Sequence, residues 1–190
     1  MRVSEAVGRT LADLGVRQAF GVVGSGNFDV TNSLAAGGVR YVAARHEGGA
    51  ATMADAYARM SDSVSVLTVH QGCGLTNAMT GITEAAKSRT PVVVLAAEAD
   101  APTSNFAIDQ PAMAAAVGAA SVRVGSAETA VADTVRAYRL ARDERRTVVL
   151  NLPLGVQQQP VPDGGRAVEA APAAAGEPAA AGEAGEPAAD

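Results

Sequence analysis

Val92-Val93-Val94-Leu95 sets four apolar side chains in a row, inside the run 91–97 (PVVVLAA). Successive side chains of a strand point to opposite faces, so a run without alternation is buried on both. Such strands belong to parallel sheets covered by helices above and below. Five more strand-like runs accompany it, at residues 19–23, 39–43, 64–70, 121–124 and 147–152, and 39–44 (VRYVAA) also reads as a short buried strand. Helical patterns lie between them near 27–36, 47–60, 75–88, 108–118 and 127–143. An opening helix carries Val3, Val7, Leu11 and Leu14 as one stripe, and Gly15-Val16 stops it. The alternation predicts an α/β fold of three layers, a mostly parallel six-stranded sheet with helices on both faces. Ligands of such sheets bind at the carboxyl ends of the strands, which makes loops 24–27, 45–47, 70–74 and 97–106 the candidates.

The composition limits what the domain can be. The chain has 190 residues, 48% hydrophobic and 18% charged, which suits one globular α/β domain. Aromatics are only 3%, so the core is built from Val, Leu, Ala and Met. A net charge of −5, with no basic cluster interleaved with aromatics, argues against nucleic acid as a partner. The opening MRVSEAVGRT lacks the apolar stretch of a signal peptide, and no run reaches the length of a membrane span. One cysteine excludes an intrachain disulfide and fits a reducing cytoplasm. Two histidines and one cysteine, poorly spaced, leave no metal site in prospect. Residues 171–190 (APAAAGEPAAAGEAGEPAAD) hold no apolar side chain larger than alanine or proline and cannot offset their ordering entropy. The expected division is a domain over residues 1–157 and a disordered Ala/Gly/Pro/Glu-rich tail over 158–190.

Three loops carry residues with chemistry. Gly24-Ser25-Gly26-Asn27 has Asp29 where a dinucleotide fingerprint needs its third glycine or alanine, so a tight turn is the plainer reading. Ser25 is still able to project its hydroxyl into a cleft. In His70-Gln71-Gly72-Cys73-Gly74-Leu75-Thr76-Asn77, two glycines let the backbone turn sharply beside a ligand. Cys73, three residues after His70, reads as an inert filler or as a thiolate paired with His70. His70 itself is either a ligand-facing group or a structurally satisfied histidine. In Arg45-His46-Glu47-Gly48-Gly49-Ala50-Ala51, a carboxyl group opens a helix beside small residues that let a flat ligand approach. Glu47 is then an acid–base group aimed at a heteroaromatic nitrogen, or an ordinary complement to the helix dipole. Asp109-Gln110-Pro111 is explained by capping. The small residues of helices 47–60 and 75–88 suit close packing against a partner or against the domain's own sheet, and the sequence leaves both open.

Taken in order, these landmarks resemble the N-terminal pyrimidine-binding domain of thiamine diphosphate-dependent enzymes, the group of acetolactate synthase, benzoylformate decarboxylase and pyruvate oxidase. The resemblance runs from about Val3 to Leu154. It passes through Ala19-Phe20-Gly21-Val22, Arg45-His46-Glu47, Ala54-Asp55-Ala56-Tyr57-Ala58-Arg59, the glycine loop 72–77, and Ser88-Arg89-Thr90-Pro91.

In that family the matching glutamate hydrogen-bonds N1′ of the aminopyrimidine, which drives the imino tautomer that deprotonates the thiazolium C2. The resemblance therefore implies catalytic roles for Glu47, His70 and Ser25, the last two against the carboxylate of a 2-oxo acid. It implies cofactor contacts from Glu47, Gly72, Cys73, Gly74 and Asn77. The family's Gly-Pro-Gly reads Gly72-Cys73-Gly74 here, and the Phe-Gln-Glu-type segment of acetolactate synthases reads Phe106-Ala107-Ile108-Asp109. The diphosphate-binding domain with its Gly-Asp-Gly…Asn-Asn motif for magnesium is not found in these 190 residues, and nothing supports FAD. The expectation is a shared site: a pyrimidine-binding half of a decarboxylase or carboligase (a lyase or transferase), inactive alone. It would be completed by a diphosphate-binding subunit or domain in a homo- or hetero-oligomer. The alternative is a non-catalytic binding or assembly module, or an orphaned fragment, that kept the fold.

Overall fold

In the computed structural model, which describes residues 1–162, helices and strands alternate from the first turn. The order is α1 (Val3–Asp13), β1 (Gln18–Gly21), α2 (Phe28–Ala36), β2 (Arg40–Ala43), α3 (Glu47–Ser61), β3 (Ser65–Val69) and α4 (Cys73–Lys87). There follow β4 (Val92–Glu98), α5 (Gln110–Ala116), β5 (Ala120–Arg123), α6 (Ala130–Asp143), β6 (Val148–Pro153) and α7 (Leu154–Gln157). The six strands form one sheet in the order β2-β1-β3-β4-β6-β5, and every pairing is parallel.

The valine run behaves as its lack of alternation requires. Val93 and Leu95 pack with Val3, Val7 and Leu11 of α1, Leu34 of α2 and Tyr138 of α6. Val92, Val94 and Ala96 pack with Ala54 of α3, Ile82 of α4 and Ala114 of α5. The two helical layers thus bury opposite faces of the same strand. Gly15, at φ +96°, ends α1 in the left-handed region, where a residue without Cβ carries no steric penalty.

The region expected as a buried second strand is an edge instead. β2 pairs only with β1, so Arg40 and Ala43 are exposed while Tyr41 and Val42 are half-buried. Apolar content made it look buried; its place in the strand order leaves it one neighbour. The short α7 was not anticipated. After it the chain returns to the N-terminus, with Val3 N–H donating to Gln159 O at 3.0 Å and Val161 N–H to Met1 O at 2.9 Å. The rest of the expected tail, residues 163–190, lies outside the described residues.

Helices α3 and α4 lie against each other through their small residues. Ala50, Ala51, Ala54, Ala78 and Ala85 are all buried, and a Cβ placed on Gly81 would come within 2.5 Å of Ala51 Cβ. These residues serve packing within the chain, which is one of the two uses the sequence left open. No helix among the described residues is long and apolar enough to cross a membrane.

Candidate functional site

The loops that leave β1, β2, β3 and β4 meet at the carboxyl end of the sheet. Glu47 is the first residue of α3, but it does not cap that helix. The cap is His46, whose Nδ1 accepts from Gly48 N–H at 3.0 Å. The Glu47 carboxylate instead reaches across to α4, where Asn77 Nδ2 donates to its Oε2 at 3.1 Å. Its other oxygen, Oε1, faces Gly74, 3.6 Å from where a Cβ would stand. Gly49, exposed two residues along, has open space where its side chain would be. One oxygen anchored and one turned toward a glycine-lined space is a geometry for exchanging a hydrogen bond with a flat ligand.

His70 follows β3 directly and is half-buried. Its Nδ1 accepts from the Gly26 N–H at 3.2 Å. A backbone amide only donates, so the neutral ring carries its proton on Nε2. The ring also meets Phe106 edge-on, with centroids 5.3 Å apart and planes at 71°. A Cβ on Gly74 would stand 3.1 Å from His70 Cβ, so Gly74 lies between the histidine and the glutamate. Gly72 has φ +64°, and a Cβ there would be 2.9 Å from Phe106 O. The glycine loop therefore owes Gly72 to a passing backbone and Gly74 to the His70 side chain.

Ser25 is exposed at the tip of its loop, between two residues that touch the histidine. A Cβ on Gly24 would be 3.0 Å from His70 Cγ, and Gly26 holds Nδ1. Cys73 is exposed as the first residue of α4. No hydrogen bond joins it to His70, whose Nδ1 is occupied by Gly26. Asp109 caps α5, as expected, by accepting from Ala112 N–H at 2.9 Å.

Four residues that shape this crevice were not picked out from the sequence. Asn27, 1% exposed, accepts from Gly24 N–H at 2.7 Å and donates to Val22 O at 3.0 Å. It holds the Ser25 loop from within. Gln71 covers Gly26, whose Cβ would collide with its Oε1. Phe106 walls the histidine, and Gln157 reaches Gly26 O from α7 at 3.3 Å. Asn27 had a local signal, an Asx residue in a Gly-x-Gly turn. Gln157, 131 positions from Gly26, had none. Among the described residues no group of three or more His, Cys, Asp or Glu is placed to hold a metal ion.

Residues 1–120 match a family model described as thiamine pyrophosphate enzyme, N-terminal TPP binding domain. The chain is 34% identical over 169 residues to the Probable 2-ketoarginine decarboxylase AruI of Pseudomonas aeruginosa, which covers 85% of this chain and 30% of that protein. It is 43% identical over 96 residues to the acetolactate synthase isozyme 3 large subunit of Escherichia coli, covering 50% of this chain and 17% of that one. It is 38% identical over 99 residues to the sulfoacetaldehyde acetyltransferase of Castellaniella defragrans, covering 52% and 17%. The chain spans less than a third of the length of each of these relatives.

Proposed function

The chain belongs to the thiamine pyrophosphate enzymes, within their N-terminal TPP binding domain, and on that premise we propose that it supplies the pyrimidine side of an active site acting on a 2-oxo acid. The observation that carries this reading is the Glu47 carboxylate, anchored through Oε2 by Asn77 and turned through Oε1 toward Gly74. The donor set fits an aminopyrimidine. It offers one carboxylate oxygen for a ring nitrogen, turned toward Gly74. When bound, thiamine diphosphate supplies a thiazolium carbon that adds to the 2-oxo carbonyl and a cationic ring that takes up the electron pair released with carbon dioxide.

This chain's own part is proton handling and orientation. Glu47 exchanges a proton at the pyrimidine nitrogen, and Asn77 keeps the carboxylate from rotating away. His70 offers its Nε2 proton to the substrate side, held in place by Gly26 and Phe106. Ser25, at the loop tip between the two glycines that touch His70, adds a hydroxyl for the substrate carboxylate. Gly72, Cys73 and Gly74 line the approach. The diphosphate and its magnesium are held outside the described residues, on another stretch of the polypeptide or on a second subunit of an oligomer. Similarity over 85% of the chain to a protein named for 2-oxo acid decarboxylation supports the decarboxylase form, and the acetolactate synthase match supports the carboligase form.

The test is Glu47→Gln in the complete enzyme. An amide cannot exchange the required proton, so turnover should fall by about 10²–10⁴-fold with cofactor still bound. Near-normal turnover refutes the assignment of Glu47.

A further inference from the structure

A Cβ on Gly26 would displace the Gln71 side chain, whose end occupies its place. Glycine, however, has no steric preference strong enough to keep its peptide groups in one orientation. Something outside the loop has to hold them, and the peptide on each side of Gly26 is tied separately. Its N–H donates to His70 Nδ1 at 3.2 Å, and its C=O accepts from Gln157 Nε2 at 3.3 Å. Gln157 is 2% exposed, and its Nε2 also donates to Leu152 O, at 2.9 Å, at the end of β6. The amide is thus braced against the sheet on one side and against the Ser25 loop on the other.

We propose that Gln157 is a positioning residue for His70: through Gly26 it keeps the backbone amide on Nδ1, and so the ring proton on Nε2, facing the substrate. Gln157 lies beyond residues 1–120, so the alignment of His70 depends on a residue outside the family match. The inference rests on the reading of His70 as the group that passes a proton. Gly26 itself cannot be varied cleanly, since any side chain there displaces Gln71. Gln157 can, because methionine matches its length and volume without its donors.

The experiment uses the 190-residue chain labelled with ¹⁵N, at a pH where the His70 ring is neutral. A scalar coupling between Gly26 N and His70 Nδ1, transmitted through the hydrogen bond, should be present in the native chain. In Gln157→Met the coupling should be lost and exchange of the Gly26 amide should quicken by at least about tenfold. Gln157→Asn, a methylene too short to reach both carbonyls, should give the same losses. Val135→Ala, a core truncation on α6, should destabilise the fold and leave the coupling intact. A coupling absent from the native chain, or retained in either folded Gln157 variant, overturns the proposal. His70→Ala in the complete enzyme separates the two claims. Undiminished turnover there would remove the catalytic reading of His70 while the coupling, measured without any reaction, would still stand.

Discussion

Replacing Gly81 with alanine tests the link between helix packing and the site. The added methyl would stand 2.5 Å from Ala51 Cβ and 3.0 Å from Ala51 C and Thr52 N, where ordinary contact begins near 3.4 Å. Two of these three atoms are backbone, so no side-chain rotation relieves the overlap, and α3 and α4 have to part by about 1 Å. Overpacking of this kind costs about 1–3 kcal/mol, and a backbone obstacle puts it near the upper end. Alanine's better helix propensity returns about 1 kcal/mol. The net loss is about 2 kcal/mol, which lowers Tm by roughly 4–8 °C in a chain of this size. Differential scanning calorimetry of the native chain, Gly81→Ala, Ala51→Gly and the double variant measures it. Removing the Ala51 methyl should recover part of the loss, so the two substitutions should couple rather than add. Asn77 lies one turn before Gly81 on α4, so the same separation lengthens its 3.1 Å bond to Glu47, and turnover of the complete enzyme should fall as well. An unchanged or raised Tm for Gly81→Ala, or strictly additive effects, would refute the close-packing argument.

The isolated 190-residue chain should bind thiamine diphosphate and magnesium weakly or not at all by titration calorimetry. A hydrogen bond to a charged group contributes about 1.5–3 kcal/mol, short of the roughly 4 kcal/mol of millimolar binding. Micromolar affinity would overturn the view that the diphosphate is held elsewhere. Burial holds the Tyr41 phenol above its ordinary 10.0, against hydrogen bonds from Thr68 and Thr31 that pull it down. Because the folded value is raised, that contribution is complete below about pH 10 and is lost as pH climbs through the folded value. Urea midpoints at about pH 8 and about pH 11 should therefore diverge less in Tyr41→Phe than in the native chain, and an identical alkaline loss would count against it.

Much of the architecture could be read from local pattern. The unbroken apolar run at residues 92–95 predicted a two-faced sheet, and every strand pairing is parallel. Gly15 marked the end of α1, and Asp109 marked the start of α5. These are short-range consequences of side-chain alternation, of the steric freedom of glycine and of unpaired helix-end amides, so a few adjacent residues suffice to state them. Glu47, His70, Ser25 and the 72–77 loop lie in segments after strands, at the end where parallel sheets bind ligands, and the family resemblance singled them out as candidates.

Only the tertiary structure decided how those candidates are held. That β2 lies at an edge follows from the strand order, which residue composition does not encode. That Asn77, on α4, anchors the carboxylate of Glu47, on α3, depends on the close approach of the two helices around Gly81. The Nδ1 of His70 is met by an amide 44 positions earlier, and the carbonyl of the same Gly26 is met by a glutamine 131 positions later. Hydrogen bonds have a reach of about 3 Å in space and no limit along the chain. The sequence by itself determined the layers and which loops lie at the carboxyl end of the sheet. Which atoms meet there was settled only when the crossovers brought distant loops to the same edge of the sheet.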